Sequence, residues 1–592
     1  MTELIEGYSP PTLEKKPDDP KDKKPLTIRI HLLCDGTNNN RANIAEREKS
    51  ELGGNSESYK KFGNGKDTSY DNGRTNIANM EPHVEFGKGL NGYSVVVKVY
   101  VQGQGTLQFN KDDDMGLGMA AFSTGVSERA RAGITEALNN VYEELLKDKP
   151  PELFFIKQVD VDVFGFSRGA ATARHAIHLM TETEIKVISD HSGYGTQTIV
   201  TNQPLYERLQ TTYGYREMRA DQVKIIFAGL YDTVVSVNAS QLAPAWIANN
   251  TRDQKAVAKA KFALHLAAAD EHRQDFPLHK IKSSLDAGKG AEYYFPGAHS
   301  DIGGSYNLAN EKLLDDKTKN AEIRQLEGSG SISDLKAQKA VLEDQGHKVE
   351  IVETAWSTGR GGRGTTEGML YTYRKIKGFE HVRRSDEYKV INRGSISDLE
   401  IDKANLIKDG WYHDWQLHVE TNVVATLARA PAQTAMNALA VLTGFPMDGR
   451  SVISGKLFAS RRGITSGYCN IPLKFMVEHS RKHSILIKDK LDQRIKIILE
   501  EEPKNNFNLL ENTLRAYMAY CGLTGSKPSH WTDMTLAKQF YPGIKKLRNR
   551  HLHMSCRFDG SGVIGKLLKP VADLGFTPRF ENNLRRRFYY EG

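Results

Sequence analysis

The chain predicts an α/β fold: a mainly parallel sheet with helices on both faces, joined to a largely helical C-terminal region. Three observations predict it. Strand-like and helical runs alternate through the amino half, which argues crossover connections between parallel strands. The runs LTIRIHLLC at 26–34 and VKIIFAGL at 223–230 are nearly continuous apolar segments of the kind buried on both faces. The run VDVDVFGFSRGAATAR at 159–174 reads as strand, glycine-flanked turn and small-residue helix in direct succession.

Taken in order, strands are predicted at 26–34 and 93–101, a helix at 126–146, a strand at 159–164, a helix at 170–180, a strand at 223–230, a helix over the alanine-rich 256–269, and a short strand at 292–295. The glycine-rich segment 103–125 contains GQG and GLG but no strand-turn-helix phosphate loop, so it reads as turns.

The turn at Ser167 is where the chemistry concentrates. A strand-to-helix elbow strains the serine backbone and leaves no room for neighbouring β-carbons, which is why Gly165 and Gly169 flank it. The hydroxyl is then exposed, and the helix behind it supplies unpaired N–H groups where an oxyanion would develop. A bare G-x-S-x-G arises by chance, so its partners matter. In this elbow class they follow in the order Ser, Asp, His.

Asp232 ends the 223–230 run, at the carboxyl end where open α/β sheets carry their functional side chains. The alternative reading of Asp232 is a turn or N-cap residue. His299 lies in the glycine-rich loop PGAHSDIGG after the short strand, and is the candidate general base. Asp301, two residues on, approaches Nδ1 poorly and suits a loop-ordering role. His265 and His272 fall in the predicted helix and read as packing or surface residues. The oxyanion donors are the backbone N–H of Arg168 and an N–H of Gly36 or Thr37, in the turn after the first strand. Asp35 and Thr37 also have the chemistry to tie that turn down by local hydrogen bonds.

Together these residues resemble the first class of lipase effectors of bacterial type VI secretion. The likeness is carried by CDGTNNN at Cys34, GFSRGA at Gly165, GLYDTVVSV at Gly229, AADEHRQDF at Ala268 and FPGAHSDIGGSY at Phe295. It continues more weakly through SGYCNIPLKFM at Ser466 and LRNRHLHMSC at Leu547. The resemblance implies an α/β-hydrolase-like fold, phospholipase A activity toward membrane glycerophospholipids, and a triad of Ser167, Asp232 and His299. Hydrolysis by such a triad is expected to need no metal and no organic cofactor. The resemblance also implies a spike protein of the secretion apparatus and a cognate immunity protein as partners, with the target cell periplasm as destination. Cys34 stands where the family usually has phenylalanine, and Asp160 and Asp162 interrupt a strand that is normally more apolar. The polar stretch 38–76 and the charged stretch 307–349 look like insertions. A serine esterase acting on a soluble ester, and a binding module with a vestigial triad, are the competing readings.

The chain has 592 residues, 39% apolar and 26% charged, a soluble globular composition long enough for more than one core. A formal charge of +8 is modest for this size and gives no reason to expect nucleic acid as a partner. Four cysteines, Cys34, Cys469, Cys521 and Cys556, have neither metal-ligand spacing nor disulfide-framework density. The N-terminal segment has no apolar core of a signal peptide. The expected organisation is a flexible leader at 1–25, a catalytic core at 26–306, a charged helical insertion at 307–349, and a region at 350–592 that completes the core and forms a lid or membrane-facing module.

Within that last part, 423–445 is the least charged long stretch, too polar and too broken at Pro431 to span a bilayer. It reads either as two hinged helices forming a lid or as a buried helical hairpin. The hexapeptide GSISDL occurs at Gly330 and again at Gly394, 64 residues apart. Two copies are not expected to make a repeat fold, and a serine-capped helix start accounts for each. Basic clusters, including the terminal LRRRFYY, read as solvated faces or as contacts to an anionic lipid surface. His553 receives no role.

Overall fold

The computed structural model describes residues 22–63, 68–113, 124–181, 184–189, 196–202, 205–235, 255–271, 276–306, 322–344, 348–354, 367–375, 379–380, 388–414, 417–421, 454–460, 464–465, 467–501, 511–512, 514–515, 548, 551–553 and 589–590. The leader up to residue 21, the charged run at 307–321 and the apolar stretch 423–445 lie outside them.

The amino half builds one seven-stranded sheet. Its strands are β1 (Lys24–Cys34), β2 (Gly87–Lys88), β3 (Val95–Val101) and β4 (Phe154–Phe166), then, after the hairpin β5 (Glu184–Ser189) and β6 (Thr196–Asn202), β7 (Val223–Tyr231), β8 (Phe262–Ala268) and, beyond the short β9 (Leu278–His279), β10 (Gly290–Phe295). The order is β10-β8-β7-β4-β1-β3-β2. Every pairing is parallel except β2 with β3. The order reverses between β1 and β4, so the carboxyl ends of these two central strands flank the crevice where such sheets place their sites.

Both faces are covered. On one, the helices Val126–Glu144 and Arg168–Thr181 press Ala137, Leu138, Val141, Ala173 and Ile177 against Ile30, Val97 and Val161. On the other, helices Asn470–Lys482 and Lys490–Glu501 bring Ile471, Phe475, Met476 and Leu491 onto Leu33, Phe164 and Phe227. The C-terminal part of the chain therefore supplies one face of the core.

The aspartates that interrupt the β4 sequence have partners there. Arg29 Nε donates to Asp162 Oδ2 at 2.8 Å, and Nδ1 of His31 lies 2.9 Å from the same oxygen. The remaining Arg29 nitrogens donate to the carbonyls of His483 and Ser484, at the end of the Asn470–Lys482 helix. Tyr93 Oη donates to Asp160 at 2.6 Å. Buried charge is tolerated because it is paired and hydrogen-bonded, and here it also pins the covering helix to the sheet.

The helix expected over 256–269 does not form. A 3-10 turn, Ala256–Lys259, leads into β8, which lies between β7 and β10 and is buried along almost its whole length. Alanine's helical propensity is worth only tenths of a kcal/mol per residue, less than filling a sheet position buried on both faces. His265 is consequently a strand residue.

The charged stretch is only partly helical. It contains β11 (Glu322–Ser331), the helix Ile332–Asp344 and β12 (Lys348–Thr354), followed by β13 (Glu367–Lys375). After β14 (Phe379–Glu380) the same succession returns as β15 (Tyr388–Ser395), the helix Ile396–Lys408, β16 (Leu417–Thr421) and β17 (Ser454–Ser460). Each set is a three-stranded antiparallel sheet with its third strand in the middle. Each helix has 13 residues and starts inside GSISDL. Glu327 and Ile391, at the same offset from the hexapeptide, are the bulged residues of their strands. Gly330 faces Gly368, and Gly394 faces Gly455. Leu335 and Leu370 are buried in the first set, as Leu399 and Leu457 are in the second. The hexapeptide thus marks two copies of one βαββ unit, contrary to the sequence expectation. Six identical residues were too little signal for a likeness that resides in strand order, bulge and register.

Beyond the second unit, β18 (Ile464–Thr465) pairs with β14. At the carboxyl end β19 (Tyr589–Tyr590) pairs in parallel with β9, so two residues of the LRRRFYY segment belong to a sheet beside the core.

Candidate active site

Ser167 follows the last residue of β4 and precedes the Arg168–Thr181 helix, with φ at +60°. That left-handed backbone is costly for a residue with a β-carbon and persists only where its surroundings enforce it. They do so by contact. A β-carbon on Gly165 would lie 2.5 Å from the Gly169 carbonyl oxygen, and one on Gly169 would lie 2.2 Å from the Asp35 carbonyl oxygen. The Ser167 N–H donates to the Tyr231 carbonyl, tying the elbow to the end of β7.

Asp232 follows Tyr231, also left-handed with φ at +40°. Its Oδ1 accepts the Ala268 N–H at 2.7 Å, and its Oδ2 lies 2.5 Å from Nδ1 of His299. A carboxylate on Nδ1 holds the proton there and leaves Nε2 as the basic nitrogen. The His299 ring sits 4.6 Å from the ring of Phe166, the residue before Ser167, and 5.0 Å from that of Phe276. Ser167, Asp232 and His299 thus converge at the carboxyl edge of the sheet, each buried, so Ser167 is not the exposed residue that the elbow alone predicts.

The turn after β1 is built around Asp35. This buried carboxylate accepts the Gly36 N–H at 2.7 Å, Thr75 Oγ1 at 2.6 Å and Tyr100 Oη at 2.5 Å. Burial pushes its pKa up to about 6 despite these three donors. The Gly36 N–H is spent on Asp35, which corrects its candidacy as oxyanion donor and leaves Thr37 as that turn's candidate. Thr37 Oγ1 also accepts from Arg168 Nε at 2.5 Å. The polar stretch 38–76 has a place here: Thr75, at its end, bonds Asp35 and bridges to Gly304 in the histidine loop.

Asp301 accepts the Ala298 N–H at 2.8 Å, and the N–H and Nδ1 of His553 at 2.9 and 2.6 Å. It orders the loop, and His553 belongs beside it. Glu271 accepts the His299 N–H at 3.1 Å. His265 was expected to pack, yet it forms a buried pair with Glu292, Nδ1 to Oε2 at 2.9 Å, while its Nε2 accepts the Thr233 N–H at 3.1 Å. Nε2 is therefore unprotonated; burial lowers the His265 pKa, against the raising effect of Glu292. Spacing gave no sign of this pair, because His265 was placed on a helix.

A serine elbow at the switch point of a doubly covered parallel sheet, with an acid and a histidine delivered by later strands, is the architecture of an α/β-hydrolase. Within that class the family is specific: the family described as type VI secretion phospholipase effector Tle1-like, catalytic domain, matches residues 29–324, and the chain belongs to it. It is accordingly a lipid ester hydrolase of the type VI secretion effectors. Among solved structures it is similar to the Tle1 effector bound to the VgrG spike, with 18% identity over 91% of this chain and 86% of that one, at a TM-score of 0.43. An uncharacterized protein from Pseudomonas aeruginosa matches 49% of this chain and 42% of its own length at 20% identity, with a TM-score of 0.27. No curated protein matches the chain.

Proposed function

We propose that the chain is an antibacterial phospholipase A in which Ser167 attacks the acyl ester of a membrane glycerophospholipid. His299 takes the serine proton through Nε2 and returns it to the departing lysolipid oxygen; Asp232 holds the imidazole and stabilises its cation. The N–H groups of Arg168 and Thr37 receive the oxyanion. Water then enters by the same route to release the fatty acid. The observation that carries the reading is the 2.5 Å contact between Asp232 and His299 beside a serine in left-handed backbone.

The family supports delivery by a secretion spike into a target periplasm, and an immunity protein guarding the producer. The described helices contain none long and apolar enough to cross a membrane. The test is fatty-acid release from mixed phospholipid vesicles by wild type and Ser167→Ala at matched folding. Release lost in the variant supports the reading. Hydrolysis of short soluble esters without release from vesicles overturns the substrate, and activity retained in Ser167→Ala overturns the mechanism.

A further inference from the structure

Three consecutive backbone N–H groups lead into the candidate base, and each ends on a carboxylate. Gly297 donates to Asp270 at 2.8 Å, Ala298 to Asp301 at 2.8 Å, and His299 to Glu271 at 3.1 Å. With Asp232 on Nδ1, four acidic side chains surround one short loop. Such a concentration of buried negative charge is costly unless cations answer it.

The answering groups come from one distant segment. Arg548 Nη2 donates to Asp270 Oδ1 at 2.8 Å with both side chains almost wholly buried, and His553 meets Asp301. Arg548 also donates to the Asp409 carbonyl at 3.0 Å and lies over the Trp411 ring at 4.9 Å, just past the helix of the second βαββ unit. Its guanidinium is therefore fixed on three sides. Asp270 in turn grips Gly297 twice, through its carboxylate and through its own N–H to the Gly297 carbonyl at 3.0 Å. Gly297 has φ at +110°, a conformation that favours glycine, two residues before His299.

We infer that Arg548 is a positioning residue for His299, acting through Asp270 and Gly297, and that it couples the second βαββ unit to the active-site loop. The inference rests on the reading of His299 as the general base. Planar, forked guanidinium suits the role: a lysine cannot bond Asp270 and the Asp409 carbonyl while stacking on Trp411.

The experiment measures the rate at which a fluorophosphonate probe labels Ser167, as a function of pH, in the full chain. Wild type, Ser167→Ala, Arg548→Ala, Arg548→Lys and Asp270→Asn are compared, with thermal unfolding as the control for folding. Arg548→Ala should label about 10- to 100-fold more slowly, the order expected for a displaced catalytic group, and Arg548→Lys should recover part of the loss.

The acid limb of the profile separates positioning from general loosening. The charged and titratable groups among the described residues that meet His299 or its loop include Asp232, Asp270, Glu271, Asp301 and His553, Arg548 through Asp270, and Tyr468, whose Oη donates to the Pro296 carbonyl at 2.7 Å. Removing the Arg548 cation favours protonated His299 and moves the limb to higher pH; Asp270→Asn removes an anion and moves it lower. Slower labelling in Arg548→Ala together with opposite shifts supports the inference. Rates equal to wild type, or slower labelling with limbs that stay put or move together, overturn it while the triad stands. Should Arg548→Ala fail to fold, Arg548→Lys and Asp270→Asn decide. Absence of labelling in wild type, or labelling retained in Ser167→Ala, overturns the triad reading, and the inference falls with it.

Discussion

His265 and Glu292 form a second histidine–acid pair beneath the first, 2.9 Å apart on neighbouring strands β8 and β10. The pair holds the turn that carries Asp232, because the Thr233 N–H ends on His265 Nε2. Replacing His265 by phenylalanine removes one of the three donors to the buried Glu292 carboxylate, leaving the Ile281 N–H and Tyr294 Oη, a loss of about 1–3 kcal/mol, read as a lower urea midpoint. The pH dependence has a definite sign. The folded pKa of His265 lies below its ordinary 6.5, so its contribution is present above pH 6.5 and is lost as pH falls, when the unfolded chain takes up a proton the folded one refuses. His265→Phe should flatten that part of the stability profile; an unchanged profile would show that His265 is not held neutral.

Gly169→Ala tests the elbow without touching a functional group. The added methyl would meet the backbone carbonyls of Asp35 and Cys34 at 2.2 and 2.4 Å, and neither is the end of a flexible side chain. Either β1 and the helix separate or the elbow shifts. The expected outcome is at least about 3 kcal/mol of lost stability, the upper range for overpacking, and vesicle hydrolysis reduced beyond what the unfolded fraction explains.

Asp35 titrates in the opposite sense from a typical salt-bridged carboxylate. Burial raises its pKa from 3.8 to about 6, so the folded state binds its proton more tightly than the unfolded chain does. Its contribution to stability is full below pH 3.8 and disappears as pH rises through 6, a span of about 3 kcal/mol. Asp35→Asn keeps an acceptor for the Gly36 N–H and removes the titration. Relative to wild type, the melting temperature of the variant should therefore climb between pH 4 and pH 7. A constant difference across that range would mean Asp35 ionises normally.

The positions of Ser167, Asp232 and His299, the candidate triad, were legible because each lies at or just past the end of a strand, and strand ends are written in sequence as apolar runs meeting Gly, Asp or Thr. His265 was misread because FALHLAAA carries the composition of a helix, while its burial between β7 and β10 depends on strands distant in the chain. The same nonlocality hid Arg548, whose partner Asp270 lies 278 residues earlier. The repeated βαββ unit was concealed for another reason: what its copies share is the bulge at Glu327 and Ile391 and the facing glycines, which only pairing reveals.

The buried cluster of Arg29, His31 and Asp162 gives the last prediction, and it separates stability from assembly of the core. Burial alone would raise the Asp162 pKa, but the His31 hydrogen bond and charge, with Arg29, bring it below the ordinary 3.8. The contribution is therefore present above pH 3.8 and lost as pH falls through the depressed value. Arg29→Ala leaves that carboxylate poorly matched and should cost about 3–5 kcal/mol. Arg29→Met combined with His31→Leu and Asp162→Leu removes all the charge, and such replacements are often neutral or stabilising. Here, however, Arg29 also anchors the carbonyls of His483 and Ser484. The triple variant should recover most of the global stability yet leave the end of the Asn470–Lys482 helix exchanging its amide hydrogens faster than wild type. Equal exchange at residues 480–485 would show that apolar packing alone seats that helix on the sheet.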